Sequence, residues 1–324
     1  MVLSLKDVRI HYKTSRGIVK AVDGVSFDLK EKETMGLVGE SGSGKSTLGF
    51  GIMKLLPKTA RVEGEMVLDG EDLTSKGEKE MQKIRGSKVA MIFQDPMTSL
   101  NPVMKVRDHF VEMIKTHRPE VSEEEAEEMA AEALRAVGID PVRMKDYPFQ
   151  FSGGMRQRVM IALGIVLRPK LLIADEPTTS LDVIVQAQIL ELLKELKEKF
   201  DMSMILITHD LGVVAEMADR IAVMYAGHLV ELAESEKIYY SPKHPYTKAL
   251  LESIPNTDIN DLKLSYIPGS PPDLIDPPRG CRFAPRCPFA KDVCFEKEPP
   301  IFEVDGSKVK CWLYEGEKHA DGQG

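Results

Sequence analysis

Thr34-Met35-Gly36-Leu37-Val38-Gly39-Glu40-Ser41-Gly42-Ser43-Gly44-Lys45-Ser46 is the stretch on which the fold turns. Thr34 to Val38 reads as a short strand buried on both faces, and the helical stretch from Lys45 to Leu56 follows the loop. Strand, glycine-rich loop and helix, closed by Lys-Ser, are the order of a phosphate-binding loop. Gly39, Gly42 and Gly44 let backbone N–H groups curl around phosphate oxygens without side-chain obstruction. Lys45 is then placed for the β- and γ-phosphates and the Ser46 hydroxyl for Mg²⁺, with Ser41 and Thr47 completing the ATP-binding loop.

Outward from this loop, short β-like runs alternate with amphipathic helices up to about Ser253. Leu3 to Ile10, Ala21 to Leu29 and Val62 to Leu68 read as half-exposed strands, the last followed by an Asp69-Gly70 turn. Val89 to Phe93, Leu171 to Ala174, Met204 to Ile207 and Ile221 to Met224 are apolar runs suited to a sheet covered on both faces. The pattern predicts an α/β fold with a mainly parallel sheet and a helical subdomain at about 94–169; an antiparallel β subdomain is added only by the family resemblance drawn from the motifs below. Within that insertion Ser122 and Glu125 form a capping box, and Gly138 ends the helix.

Bulk properties narrow the class. Of the 324 residues, 43% are hydrophobic and 29% charged, the balance of a globular protein. The net charge of −8 argues against nucleic acid as a partner. The longest apolar run, Val159 to Leu167, is too short to span a bilayer, and no hydrophobic signal follows Met1. The expectation is a cytosolic protein whose membrane function is borrowed from partners.

Leu171-Leu172-Ile173-Ala174-Asp175-Glu176 places two carboxylates at the C-terminal end of a strand, where α/β proteins bind ligands. Asp175 is the Mg²⁺-side carboxylate, and Glu176 is the candidate to deprotonate the attacking water. In Phe151-Ser152-Gly153-Gly154-Met155-Arg156-Gln157-Arg158, Ser152 can cap a helix whose first N–H groups the glycines leave uncovered, an anion site. That helix should run to about Arg168, where Pro169 stops it.

This last run resembles the signature motif of ABC ATP-binding subunits. Gln94 matches that family's Q-loop, Thr179-Ser180-Leu181-Asp182 its D-loop and His209 its switch histidine, all in family order. The resemblance implies a head-to-tail dimer in which Ser152, Gly153 and Gly154 of one subunit cap the γ-phosphate of ATP held by the facing P-loop. It also implies that His209 holds the γ-phosphate, that Gln94 contacts Mg²⁺ or water, that Asp182 borders the nucleotide and that Tyr12 stacks on adenine. Long coiled-coil insertions of chromosome-type relatives have no room between Lys45 and Ser152.

Phe-Ser-Gly-Gly-Met at 151–155, Tyr240-Ser241-Pro242-Lys243-His244-Pro245-Tyr246-Thr247 and Pro268-Gly269-Ser270-Pro271-Pro272 resemble the oligopeptide/dipeptide importer branch. Members of that branch also serve oligosaccharide and nickel importers. The partners so implied are a second ATP-binding subunit, two transmembrane permease subunits and an extracytoplasmic substrate-binding protein, with this chain peripheral on the cytoplasmic face of the membrane.

The segment from 256 to 324 is proline-rich, lacks helical or strand periodicity and holds all four cysteines. It is expected to be a small irregular C-terminal domain. Cys281, Cys287, Cys294 and Cys311 are spaced C-x₅-C-x₆-C-x₁₆-C. Such a set can hold zinc or an iron–sulfur cluster, remain as free thiols or form two disulfides. The absence of C-x₂-C pairs leans away from Zn²⁺, and the family resemblance implies a [4Fe–4S] cluster. Its expected role is to replace a missing hydrophobic core and fold the tail, with the Lys45 and Asp175 site still able to bind ATP.

Overall fold

Thr34–Val38 is a strand, and all five of its residues are buried. It pairs in parallel with Arg220–Tyr225, from Met35 opposite Arg220 to Val38 opposite Val223. The Thr34 N–H donates to the Asp219 carboxylate at 2.7 Å, and the Asp219 N–H returns to the Thr34 carbonyl at 2.9 Å. The structure is a computed structural model that describes residues 1–94, 99–179, 181–253 and 267–319. It divides into two units. One holds Leu3–Asp28, Thr34–Thr74 and Ile207–Gly324; the other holds Met1–Val2, Leu29–Glu33 and Ser75–Leu206.

In the first unit, the antiparallel sheet has the order Gly17–Leu29, Leu3–Thr14, Ala60–Leu68, Glu71–Asp72. Its strands run beyond the apolar stretches read from sequence. Asp69 and Gly70 have φ of 50° and 79°, a tight hairpin turn joining the last two strands. The helix after the phosphate loop is Lys45–Ile52, shorter than expected. Lys54 adopts φ 53°, and its ammonium donates to the carbonyls of Leu73 and Thr74.

The tail corrects the sequence reading. Its described part falls in this unit and contains strands where the sequence shows no strand periodicity. Ser307–Val309 pairs antiparallel with His228–Glu234, Phe302–Val304 pairs with Ser307–Val309, and Lys318–His319 lies on the far side. Two of these strands have three residues and the third has two, too few for periodicity to show. Their buried–exposed–buried alternation emerges only in three dimensions. The boundary expected near residue 255 lies outside the described residues.

In the second unit, Val89–Ile92 and Leu171–Asp175 lie side by side and parallel, with Val89 opposite Leu171. Helices Val106–His117, Glu123–Ala136 and Gly153–Ile165 supply the predicted helical insertion. The Ser122 cap forms as read: its Oγ accepts the Glu125 N–H at 3.1 Å, and the Glu125 carboxylate accepts the Ser122 N–H at 2.9 Å. The third helix stops at Ile165 rather than Arg168, because Arg168 turns into the left-handed region at φ 54° ahead of Pro169.

Gly36 sets how closely the Leu211–Met217 helix can approach the central strand. A Cβ there would lie 2.1 Å from Val214 Cγ1. Gly36→Ala should therefore cost about 1–3 kcal/mol of stability in denaturant unfolding. Adding Val214→Ala should recover part of that loss; a double variant no more stable than Gly36→Ala alone would contradict the contact.

Candidate nucleotide site and cysteine pocket

The phosphate loop is shaped by where its glycines sit. A Cβ on Gly39 would lie 2.1 Å from the Met224 carbonyl oxygen, and one on Gly44 would lie 2.2 Å from that of Ala21. Gly42 has open space around it, so its requirement is conformational, a φ of 78°. Gly44, at φ 102°, opens the Lys45–Ile52 helix without a side-chain cap, so the positive end of the helix faces the loop. Lys45 is buried, and its Nζ donates to the carbonyls of Gly39 at 2.7 Å and Glu40 at 3.0 Å. The ammonium is thus held inside the curl of the loop. Ser46 and Thr47 lie on the first turn of the same helix.

His209 and Tyr12 belong to this unit as well. His209 is exposed, between the Ser203–Thr208 strand and a helix capped by Asp210, whose carboxylate accepts the Gly212 N–H at 2.8 Å. Tyr12 is half-buried on the Leu3–Thr14 strand, opposite Ala60.

The other unit assembles the carboxylates. Asp175 ends its strand and is buried. The next residue, Glu176, has a φ of 45°, an uncommon backbone state for a non-glycine residue. Its Oε2 accepts from Gln94 Nε2 and from Thr179 Oγ1, each at 2.9 Å. The sequence reading paired none of these three with one another. Gln94 is therefore fixed against the candidate base, and Thr179 holds that base from the D-loop side. Ser180 lies outside the described residues.

Ser152 caps Gly153–Ile165, its Oγ accepting the Met155 N–H at 3.3 Å. Gly154 has no room for a side chain, since its Cβ would lie 2.7 Å from Val185 Cγ1. Val185 is in the first turn of Val183–Lys199, capped by Asp182, whose Oδ1 accepts the Val185 N–H at 3.0 Å. Signature helix and D-loop are thus packed together, which explains why glycine is needed there.

The four cysteines line one pocket with His244 and Phe283, and all four are free thiols. The Lys291 N–H donates to Cys294 Sγ at 3.4 Å. Burial pushes the Cys281 thiol up to about 11 and the Cys311 thiol up to about 12. His244 is buried and pushed down to about 3, so its ring is neutral. Its Nδ1 accepts the Tyr246 N–H at 3.0 Å, which leaves the proton on Nε2. Among the described residues, no three His, Cys, Asp or Glu side chains form a group that could hold a metal ion as they stand.

A phosphate loop, a strand-end carboxylate pair and a serine-capped signature helix define an ATP-hydrolysing cassette. Comparison with known proteins agrees. Residues 22–179 match the ABC transporter family model, and residues 230–294 match that of the oligopeptide/dipeptide transporter C-terminal region. The oligopeptide transport ATP-binding protein OppD of Bacillus subtilis is 52% identical over 96% of this chain and 88% of its own length. The dipeptide transport ATP-binding protein DppD of the same organism is 51% identical over 96% and 94%. A solved dimeric, post-hydrolysis ATP-binding cassette bound to ADP and Pi superposes with a TM-score of 0.65 at 31% identity, covering 72% of this chain and 98% of that one. The chain belongs to the oligopeptide/dipeptide transport ATP-binding proteins of the ABC transporter family, and it is an ATPase.

Two substitutions should separate binding from turnover. Lys45→Ala removes the cation inside the loop and should abolish tight Mg-ATP binding in equilibrium titration. Glu176→Gln should keep that binding and lower turnover about 100-fold or more, with ATP-bound dimer accumulating in gel filtration. Near-normal hydrolysis by Glu176→Gln would remove it as the base.

Proposed function

We propose that the chain is the ATP-hydrolysing subunit of an importer for oligopeptides or dipeptides. The observation that carries this is the near-full-length identity to OppD and DppD, which extends through the C-terminal region. Lys45 and the N-terminal end of the helix after Gly44 meet the charge of the phosphates, and Glu176 takes the proton of the attacking water. Ser46 and Asp175, with Gln94, would hold Mg²⁺, whose charge offsets that developing on the phosphates. His209 contacts the γ-phosphate and Tyr12 the adenine. The Ser152 helix, with Gly153, Gly154 and Asp182, completes the site of a facing subunit, so hydrolysis is coupled to dimer closure.

The partners in this reading are a second ATP-binding subunit, two permease subunits and an external binding protein. Among the described residues no helix is long and apolar enough to cross a membrane, in keeping with a peripheral position against a permease. Reconstituted with its permeases, the chain should hydrolyse ATP several-fold faster when the binding protein carries peptide. Stimulation by an oligosaccharide or Ni²⁺ instead would replace the cargo assignment.

The finer reading concerns the tail, 256–324, as a cofactor-binding region. Four thiols that share a pocket, with a backbone N–H donor to Cys294, suit thiolate ligation. The absence of C-x₂-C pairs leans away from a zinc ribbon. For a [4Fe–4S] cluster, Cys281, Cys287, Cys294 and Cys311 are the residues that would hold it. Anaerobically purified protein should be brown, with about four iron and four sulfide per chain, and Cys294→Ser should bleach it. Colourless wild-type protein with one zinc per chain, or with no metal, overturns the cluster.

A further inference from the structure

Glu40, the second residue of the phosphate loop, is gripped from the tail side at two points. Its backbone N–H donates to the Tyr246 hydroxyl at 2.9 Å. Its carboxylate takes a fork from Arg286, with Nη1 to Oε2 at 3.0 Å and Nη2 to Oε1 at 3.2 Å. The Glu40 carbonyl, in turn, is one of the oxygens on which the Lys45 ammonium rests. One residue thus links the tail to the lysine that meets the phosphates.

Both gripping residues are well anchored. The Arg286 side chain is only 6% exposed, and it also donates to the Tyr225 hydroxyl at 3.1 Å and to the Pro268 and Ile267 carbonyls at 2.8 and 3.2 Å. A bidentate guanidinium–carboxylate pair so shielded is a stronger restraint than a surface ion pair. Tyr246 is fully buried, with its ring 4.6 Å from that of Tyr225 and 5.4 Å from that of Phe283. Arg286 immediately precedes Cys287, Phe283 sits between Cys281 and Cys287 in sequence, and His244-Pro245 of the Tyr246 turn lines the cysteine pocket. Whatever fixes the pocket fixes both grips.

We propose that Arg286 and Tyr246 are positioning residues of the phosphate loop, and that through them the cysteine pocket sets the affinity of the site for nucleotide. The restraint holds the loop in its phosphate-binding curl before ATP arrives, so its loss weakens binding while leaving the base, Glu176, untouched. The part that concerns the pocket rests on the reading that the four cysteines hold a cofactor; the Arg286–Glu40 part does not.

The test uses the full-length chain, with a fluorescent ATP analogue and Mg²⁺ for equilibrium binding, and the chain with its partner subunit for hydrolysis. Arg286→Gln should raise the dissociation constant about five- to tenfold, raise KM to match and change kcat less than twofold. Glu40→Gln should do the same, and the double variant should be no weaker than either single, since both remove one contact. Tyr246→Phe, which keeps the ring, should weaken binding by itself and supplies the readout if Arg286→Gln does not fold. Unchanged affinity in folded Arg286→Gln, or additive losses in the double variant, overturns the positioning role. For the pocket, Cys294→Ser that has lost its iron should weaken binding about as much as Arg286→Gln, and combining the two should add nothing. Wild-type affinity in the iron-free variant overturns the link to the pocket. Wild-type protein without metal would instead defeat the cofactor reading and leave the Arg286–Glu40 result standing.

Discussion

The phosphate loop depends on backbone meeting backbone where no side chain fits. Gly39 lies against the Met224 carbonyl and Gly44 against that of Ala21, each at a distance that excludes a Cβ. Met224 belongs to the Arg220–Tyr225 strand that pairs with Thr34–Val38, and Ala21 to the antiparallel sheet. Two different sheets of one unit therefore clamp the loop at its two ends. Between the clamps only Glu40, Ser41 and Ser43 carry side chains, and Glu40 is the one held by the tail. A loop fixed in this way presents its N–H groups without having to reorganise when charge arrives, which is the physical advantage of such cradles.

Glu176 is held by a different logic. Its backbone is in a region that costs a non-glycine residue of order 1 kcal/mol, and its carboxylate accepts from both Gln94 and Thr179. Those two donors come from separate strand ends, so the base reports on the placement of each. Displacing Gln94 would remove one of these two hydrogen bonds from the Glu176 carboxylate and leave the one from Thr179.

What was legible in the sequence was whatever depends on residues close together in the chain. The phosphate loop, the Ser122 capping box, the Ser152 cap and the Asp175-Glu176 pair are each contained in a few positions, and their chemistry follows from residue type. Strand lengths were underestimated in the antiparallel sheet because polar residues at strand ends pair as readily as apolar ones. The Thr179–Glu176 contact lay within the D-loop region but had no signal of its own. Arg286 and Glu40 are separated by 246 positions, and nothing in either segment marks the other. Tyr246 stands in the sequence only as part of the run Lys243-His244-Pro245-Tyr246, which carries no mark of its partner.

The structure supplies that partner, and it changes what the tail is for. Glu231 is buried, which pushes its carboxyl above the usual range, yet it accepts the N–H groups of Lys243 and His244 at 2.7 and 2.9 Å. His244 turns its Nδ1 to the Tyr246 N–H, Pro245 starts the Pro245–Glu252 helix at the position where no donor is needed, and Tyr246 is thereby aimed at the phosphate loop. A segment this short could not hold that geometry without a floor beneath it. The floor is apolar after all: Phe283, Phe302 and Val309 are each no more than 1% exposed. Arg282 adds donors to the Ala226 carbonyl and the Asp23 carboxylate. The tail thus has buried apolar residues and a sheet edge to rest on. The pocket of the four thiols is lined in part by His244, Pro245 and Phe283, neighbours in the chain of the residues that hold Glu40.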